Sequence, residues 1–296
     1  LVAVFQALAV PGSEILAIAP YFPEYKPFVL GTGAAFKVVP PDVPGFQINL
    51  EAVEAMLTPV TQAIIINSPN NPSGVVYTAE TLSALGEILS RKAEEFGHPI
   101  YIVSDEPYRE LTYGCTAPFI PNIYPNTIVC YSYSKSLSLP GERIGYVYVP
   151  GNCTESKRLY AAIAGAARSA GHVCAPSLWQ KVIARCTHLR PDLASYDRNR
   201  RALYEGLTAM GYEMAKRFLK GEHAFIVATH TDKAHIHNHI IWNSTALDSR
   251  RKFRDFKRSG KSLRKCLCFT VSFEFTTDSS SETINPSKSF TSFEYA

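Results

Sequence analysis

A lysine in the stretch "SYSKSLSLPGER" is placed for nucleophilic chemistry. Lys135 lies among serines, and Arg143 follows it eight positions later. A lysine amine that is desolvated and held near other cationic groups loses its proton readily, and it can then attack an aldehyde carbon to form a Schiff base. The alternative is a solvated lysine in a serine-rich loop, which is the usual environment of lysine side chains.

Polar side chains also follow two apolar runs earlier in the chain. Asn71 lies in the turn after "QAIIINSP", and Asp105 and Tyr108 follow "IYIVS". A carboxylate can keep a pyridine nitrogen protonated, amide and phenol groups can hydrogen-bond a phenolic oxygen, and an arginine with a nearby serine can bind a phosphate. Each residue alone has an ordinary explanation as a turn or helix-cap residue. Together with the lysine they predict a site for a phosphorylated pyridine aldehyde.

The elements that must hold these residues alternate between strands and helices. Residues 12–150 contain six runs rich in β-branched residues: "EILAIAP", "FKVVP", "QAIIINSP", "IYIVSDEP", "TIVCYSYS" and "RIGYVYVP". Such runs, separated by amphipathic segments like "AETLSALGEILSRKAEEFG", are typical of an α/β fold with a mostly parallel sheet and helices on both faces. Ligands bind at the carboxyl ends of such strands. Three further helices are predicted between Thr154 and Met210, the last ending at Gly211.

These motifs make residues 1–213 resemble the large domain of the class I/II, or fold-type-I, aminotransferases, which depend on pyridoxal 5'-phosphate (PLP). The family's Asn-Pro-Thr/Ser-Gly turn, its Asp-x-x-Tyr strand end and its Ser-x-Ser-Lys stretch with a following arginine all have counterparts, at 71–74, 105–108 and 132–143. The resemblance implies the PLP-transferase fold, and transfer of an amino group between an amino acid and a 2-oxo acid. It also implies a homodimer.

The resemblance assigns four residues to the reactive part of the cofactor. Lys135 would hold PLP as an internal aldimine and carry a proton between the substrate α-carbon and C4′ of the cofactor. Asp105 would pair with the ring nitrogen, and Tyr108 and Asn71 would contact the phenolic oxygen.

Four more residues are assigned to the phosphate and to the face of the ring. Ser132 and Arg143 would bind phosphate, and Ser134 is assigned to cofactor binding with them. In "APYFPEY", Phe22 would stack on the ring. A core aromatic at a strand end is the alternative for Phe22.

Parts of the family pattern have no counterpart in this sequence. The family places a small-residue, phosphate-binding loop and an N-terminal arm before the segment that matches here, and neither precedes Leu1. The arginine that binds the substrate α-carboxylate in the family's small domain has no counterpart after "GLTAMGYEMAK". We therefore expect sequence upstream of Leu1 to be missing, and we expect impaired transamination and disturbed dimer assembly, because a bidentate carboxylate contact orients the amino acid.

A histidine cluster follows this region. His235, His237 and His239 would share one face of a strand, which suits binding of a divalent metal, whereas a solvated polar strand face is the alternative. Residues 216–265 resemble part of a plasmid relaxase or mobilisation nuclease, in which three histidines hold a metal such as Mg or Mn at the scissile phosphate. That resemblance assigns the metal to His230, His237 and His239, with His235 as the alternative.

The charge distribution agrees with a division of the chain. Residues 214–296 carry 14 Lys and Arg against 8 Asp and Glu, whereas residues 1–213 carry 16 against 18. The basic run 250–265 suits contact with DNA phosphates, and a solvated charged helix is the alternative. We predict a partial aminotransferase domain at 1–213, a relaxase-like fragment at 214–265 and a disordered tail at 266–296. A fused or misassembled reading frame would explain this arrangement. A further alternative is that neither half folds, because each lacks part of its core.

Composition excludes several classes of protein. The sequence has no apolar run long enough to span a bilayer and no basic segment ahead of an apolar one at its start. Its seven cysteines are odd in number and scattered, without the paired spacing of a zinc site. We therefore predict a cytoplasmic protein in a reducing environment, with no membrane partner.

Overall fold

A computed structural model describes residues 1–220, together with the backbone of residues 225–230 and 237–242. The chain forms two compact units, residues 1–197 and residues 198–296. The first unit contains all of the residues predicted to bind PLP.

The first unit is built on a six-stranded sheet with the order β2-β1-β3-β4-β5-β6. The first five strands are parallel, and β6 pairs with β5 in the antiparallel sense. All six strands fall on the predicted apolar runs: β1 Glu14–Ile18, β2 Ala35–Val39, β3 Thr61–Asn67, β4 Tyr101–Asp105, β5 Thr127–Ser132 and β6 Gly145–Tyr148. The predicted α/β class with a mostly parallel sheet is confirmed.

Helices cover both faces of this sheet. Their bounds are α1 Val2–Leu8, α2 Tyr25–Leu30, α3 Leu50–Met56, α4 Ala79–Phe96, the single turn α5 Tyr133–Ser136, α6 Ser156–Ser169 and α7 Ser177–Cys186, with a 3₁₀ turn at Ile120–Asn122. The long helix α4 begins at the cap Thr78, whose side chain accepts the N–H of Thr81, and it ends at Gly97 in the left-handed conformation. These are the residue types that such positions favour.

Alternate residues of each central strand pack into two separate cores. In β1, Ile15 and Ala17 join the core under α1, α2 and α6, whereas Leu16 and Ile18 join the core under α3 and α4. Both faces of the central strands are therefore buried, which explains why their sequences are continuous apolar runs rather than alternating ones.

The parallel register brings the ends of three strands together. Asn67 at the end of β3 is paired with Asp105 at the end of β4, and Asp105 is paired with Cys130 of β5. Because these carboxyl ends meet at one edge of the sheet, the polar residues that follow them can form one site.

Close backbone approach fixes the antiparallel edge of the sheet. Gly145 lies opposite Ser132. A Cβ atom at Gly145 would clash with the carbonyl oxygen of Tyr131. Only glycine fits here without moving β6 away from β5, so this residue sets the spacing beside the strand that leads to Lys135.

The last helix is longer than the sequence predicted. Helix α8 runs over Leu193–Phe218, so the predicted end at Gly211 is wrong. A glycine inside a helix costs only about 1 kcal/mol. The helix-forming stretch "YEMAKRF" continues after it, and Lys216 and Arg217 near the last carbonyls interact favourably with the helix dipole.

The second unit contains an antiparallel pair of strands after α8. Strand β7 spans Phe225–His230 and strand β8 spans His237–Trp242, with His230 opposite His237 and Ala228 opposite His239. Within the part of the chain that the structure describes, every helix is too short or too polar to cross a membrane.

Candidate active site

Three of the predicted cofactor-binding residues meet at the carboxyl edge of the sheet. Nδ2 of Asn71 donates a hydrogen bond to Oη of Tyr108 over 3.3 Å. Nζ of Lys135 lies 5.9 Å from the centroid of the Tyr108 ring, within the range of a cation–π contact. The tyrosine therefore contacts both the amide and the amine that the sequence assigns to one cofactor.

A buried asparagine holds two of the segments that carry these residues. Asn67 is 4 % exposed, and its Nδ2 donates to the backbone carbonyl oxygen of Asp105 over 2.8 Å. Its Oδ1 accepts the backbone N–H of Asn71 over 2.6 Å. Because one side chain binds the end of β4 and the turn after β3 at once, it fixes Asn71 relative to Asp105.

The turn that carries Asn71 is stabilised from within. Asn70 accepts hydrogen bonds through Oδ1 from both the backbone N–H and the hydroxyl of Ser73, at 3.0 and 2.7 Å. Gly74 closes the turn with a positive φ of 73° and donates its N–H to the carbonyl oxygen of Asn70 over 2.8 Å. The "NNPSG" motif is thus a rigid turn as well as the source of the Asn71 amide.

A tyrosine donates to the carboxylate that the sequence assigns to the ring nitrogen. Oη of Tyr25 lies 2.6 Å from Oδ2 of Asp105. Burial raises the pKa of Asp105 to about 6, although the Tyr25 hydrogen bond acts in the opposite direction. Burial and the nearby Asp105 charge raise the pKa of Tyr25, so its phenol stays protonated and remains the donor.

Phe22 lies beside this pair. Its ring packs edge-to-face on Tyr25, with 5.6 Å between the ring centroids, and it is half-buried at the margin of the core under α1 and α2. Phe22 therefore contacts the partner of Asp105 and also packs against the core, so both readings of this residue agree with its position.

The serine stretch places Lys135 on a single turn of helix. Oγ of Ser132 accepts the backbone N–H of Ser134 over 3.2 Å and caps α5. Lys135 itself is exposed, because α5 begins where β5 leaves the core. Lys135 therefore lies in a solvated environment in this structure, and not in the desolvated one expected for a nucleophilic lysine.

Arg143 lies in the loop between α5 and β6. It is exposed, has a positive φ of 50°, and donates from Nη1 to the carbonyl oxygen of Pro140 over 2.9 Å. It lines a cavity of about 660 Å³ together with His172 and Trp179. Among the described residues its hydrogen bonds include neither Ser132 nor Lys135, so its phosphate role stays a prediction.

A buried ion pair supports the loop between Asp105 and Tyr108. Glu106 is 2 % exposed and accepts hydrogen bonds from Ser104 Oγ at 2.7 Å and from Arg109 Nη1 at 2.6 Å. The Arg109 guanidinium also lies 4.9 Å from the centroid of the Phe119 ring. These contacts hold the backbone on both sides of Tyr108.

The predicted metal site lies outside the side chains that the structure describes. The backbone pairing places His230 opposite His237, and His239 lies two residues further along β8, opposite Ala228. His235 lies outside the described residues altogether. Within the described side chains there is no group of three or more potential metal ligands.

Two residues of the site were missed by the sequence reasoning, Tyr25 and Asn67. The sequence did indicate a role for Asn67, because a polar amide at the end of a buried strand must find hydrogen-bond partners. Tyr25 lies only three positions after Phe22, but its contact with Asp105 spans 80 residues and depends on how α2 packs on the sheet.

This chain is similar in sequence to known aminotransferases. A model of the family described as aminotransferase class I and II matches residues 1–255. Aspartate aminotransferase of Geobacillus stearothermophilus is 40 % identical over 152 residues, which are 49 % of this chain and 37 % of that protein. Aspartate/prephenate aminotransferase of Thermus thermophilus is 32 % identical over 226 residues, which are 72 % of this chain and 54 % of that protein.

Solved structures give the same result. An amino transferase from Eubacterium rectale is 47 % identical with a TM-score of 0.67, over 76 % of this chain and 54 % of that one. Aspartate aminotransferase from Thermus thermophilus with maleate is 26 % identical with a TM-score of 0.59, over 76 % and 55 %. The chain spans about half the length of these two structures, and 37 to 54 % of the two curated relatives.

The family match also bears on the segment predicted to resemble a relaxase. It continues across the predicted boundary after residue 213 and covers most of residues 214–265. The comparisons thus give no support to a relaxase fragment in this segment. Since the match covers far more than half of the sequence, the chain belongs to the class I and II aminotransferase family.

Proposed function

We propose that this chain is the cofactor-binding part of a PLP-dependent aminotransferase, which transfers an amino group between an amino acid and a 2-oxo acid. The observation that carries the proposal is the meeting of Asn71, Tyr108 and Lys135 at the carboxyl edge of the sheet, next to Asp105. The family membership supports the same reaction class.

The side chains at this edge fit the groups that PLP presents. An amine, a carboxylate and a pair of hydrogen-bonding groups match its aldehyde, its ring nitrogen and its phenolic oxygen. When bound, PLP supplies a ring that withdraws electrons from the substrate α-carbon. Lys135 would bind the cofactor covalently through Nζ and then act as the base that moves the α-proton.

The remaining residues would orient the ring. Asp105, with a pKa of about 6, is mostly ionised at neutral pH and would hold a proton on the ring nitrogen. Tyr108 and Asn71 would bind the phenolic oxygen, and Phe22 would cover one ring face. Ser132, Ser134 and Arg143 are proposed for the phosphate by resemblance alone.

For the substrates we propose a chemical class, an amino acid and a 2-oxo acid, and no single compound. The relatives carry names that include aspartate, prephenate and N-acetyl-LL-diaminopimelate, so they share the amino-acid and 2-oxo-acid class but no single substrate. We propose a homodimer, as the family resemblance implies. The predicted cytoplasmic location agrees with free thiols at each described cysteine, namely Cys115, Cys130, Cys153, Cys174 and Cys186.

Trapping the bound cofactor tests the central assignment. PLP is added to the purified chain, the visible absorption band is recorded, the mixture is reduced with borohydride, and the labelled peptide is mapped. We expect label on Lys135 and loss of the band in Lys135→Ala. Lys181→Ala, which removes an exposed lysine from α7, is the matched control and should keep the band.

The outcome can also contradict the proposal. A band that survives in Lys135→Ala, or label spread evenly over surface lysines, would exclude Lys135 as the attachment site. Transfer of the amino group from an added amino acid to an added 2-oxo acid would then be measured on the loaded protein, as a separate test of turnover.

A further inference from the structure

One hydrogen-bonded chain of side chains remains unexplained by the proposed function. Oη of Tyr131 lies 2.7 Å from Oγ of Ser136 and 2.9 Å from Oε1 of Glu110. Tyr131 and Ser136 are buried. We call these three residues the Ser-Tyr-Glu chain.

Tyr131 links the other two members of the chain. Its hydroxyl donates to Oε1 of Glu110 over 2.9 Å. The same hydroxyl forms a hydrogen bond of 2.7 Å with Oγ of Ser136. Tyr131 is therefore the central member of the chain, and loss of its hydroxyl removes both bonds.

The Glu110 carboxylate, at the end of the chain, depends on its hydrogen bond with Tyr131. Oε2 of Glu110 is shielded from water and has no hydrogen-bond partner among the described residues. The Tyr131 hydroxyl is thus the only hydrogen-bond donor to the Glu110 side chain within that part of the protein. Burial raises the pKa of Tyr131, and the hydrogen bond to Glu110 adds to this effect, so the phenol stays protonated.

The chain joins the two segments that carry the candidate catalytic residues. Glu110 lies on the loop after β4, five residues after Asp105 and two after Tyr108. Ser136 is the last residue of α5 and the direct neighbour of Lys135. A helix of one turn is not stable by itself, so its position depends on contacts such as this one.

The aromatic packing around Tyr131 makes the connection rigid. Its ring packs edge-to-face on Tyr133 with 5.1 Å between centroids, and it stacks on Tyr146 of the neighbouring strand at 5.0 Å. Because these two contacts hold the ring of Tyr131, the position of its hydroxyl is fixed as well. The hydrogen bond between Tyr131 and Ser136 then fixes α5 relative to the Tyr131 ring.

We propose that the Ser-Tyr-Glu chain positions the amine of Lys135 for attachment to the cofactor. This proposal rests on the proposed function, since it concerns the same lysine. None of the three residues is assigned contact with the cofactor. They act through the backbone of α5, and small errors in such positioning lower the rate of a covalent step strongly.

The test measures how fast Lys135 reacts. Nζ bonds to the aldehyde carbon of PLP, the aldehyde oxygen leaves as water, and borohydride then delivers hydride to the C=N bond. Label on Lys135 and on Lys181 is followed in the same sample by peptide mass spectrometry. Lys181 is an internal reference, because global unfolding would change the labelling of both lysines.

We expect Tyr131→Phe and Ser136→Ala each to slow labelling of Lys135 about 10-fold relative to Lys181. Tyr146→Phe is the matched control, because it keeps the ring stack and removes a hydroxyl that makes no hydrogen bond with the described residues. Glu110→Gln keeps an oxygen that accepts from Tyr131 and should retain most of the rate. Glu110→Ala should lower it as Tyr131→Phe does.

Different results overturn different conclusions. If Tyr131→Phe and Ser136→Ala label Lys135 as fast as the wild type does, the positioning role is refuted while the assignment of Lys135 stands. Equal rates for Glu110→Gln and Glu110→Ala would remove the carboxylate from the chain. If Lys135 of the wild type reacts no faster than Lys181, both this inference and the proposed function fail.

Discussion

Replacing Tyr25 with phenylalanine tests how the site controls the charge of Asp105. The substitution removes a hydroxyl that lies 2.6 Å from Oδ2 of Asp105 and keeps the ring, which is 2 % exposed. A hydrogen bond to an ionised group contributes about 1.5–3 kcal/mol, and one between neutral groups about 1 kcal/mol. The loss should therefore be larger when Asp105 is ionised.

The pH dependence follows from the sign of the pKa shift. Burial raises the pKa of Asp105 from 3.8 to about 6, so the folded state binds this proton more tightly than the unfolded state does. Stability then falls as pH rises through this window, by about 2–3 kcal/mol for a shift of this size, because one pKa unit is about 1.4 kcal/mol. Without the Tyr25 hydroxyl the pKa of Asp105 should rise further, and the fall with pH should be larger.

Urea unfolding at pH 4.5 and pH 8 measures this difference. We expect Tyr25→Phe to lower the free energy of unfolding by about 1 kcal/mol more at pH 8 than at pH 4.5. In an Asp105→Asn background the pH-dependent part should vanish. Tyr21→Phe is the control, since its hydroxyl makes no hydrogen bond with the described residues and its ring packs on Phe36.

An equal loss at the two pH values would refute this reasoning. It would mean that the Tyr25 hydroxyl contributes to packing or to another contact, and that Asp105 does not titrate between these values. A loss larger at pH 4.5 than at pH 8 would reverse the sign and would mean that the Tyr25 hydroxyl stabilises the protonated form of Asp105 more than the ionised form.

Two further substitutions test the support of the site. Gly145→Ala should lower the free energy of unfolding, measured in urea, by about 1–3 kcal/mol, because its Cβ would clash with the facing backbone. Gly165→Ala, at an exposed position in α6 with open space around it, should raise that free energy by about 0.5–1 kcal/mol. Equal effects of the two substitutions would contradict the close approach of β5 and β6. Arg109→Met should cost about 3 kcal/mol, since it leaves the buried Glu106 carboxylate without its cation. Arg91→Met, at an exposed pair, should have little measurable effect by the same assay, and a comparable loss there would contradict the argument from burial.

Much of the fold could be predicted from the sequence because the signals were local. The central strands are buried on both faces, so their apolar runs are uninterrupted, and the residues that end those runs must lie at the sheet edge. Asn71, Asp105 and Lys135 were selected as candidate site residues in this way, and their roles stay predictions. The end of α8 was not, because a glycine is a common helix terminator but does not by itself end a helix when helix-forming residues follow it.

The contacts that organise the site were less accessible to sequence reasoning. Tyr25 reaches Asp105 across 80 residues, and Asn67 reaches the Asp105 backbone across 38. Such contacts depend on strand register and on helix packing, which the sequence does not state directly. The exposure of Lys135 was missed for the same reason, because burial at a strand end depends on which elements pack over it.

The serines around Lys135 show why spacing alone could not resolve the roles of neighbouring residues. Oγ of Ser132 accepts a backbone N–H and caps the turn, whereas Ser136, four positions later, forms a hydrogen bond with the hydroxyl of Tyr131. In the sequence these serines look equivalent, and a phosphate-binding role was the natural reading for the first of them. The difference arises because the chain leaves an extended strand at Ser132 and enters a single helical turn. The side chain of Ser136 therefore reaches back to Tyr131 on β5, the strand that ends at Ser132, and this contact is visible only in the structure.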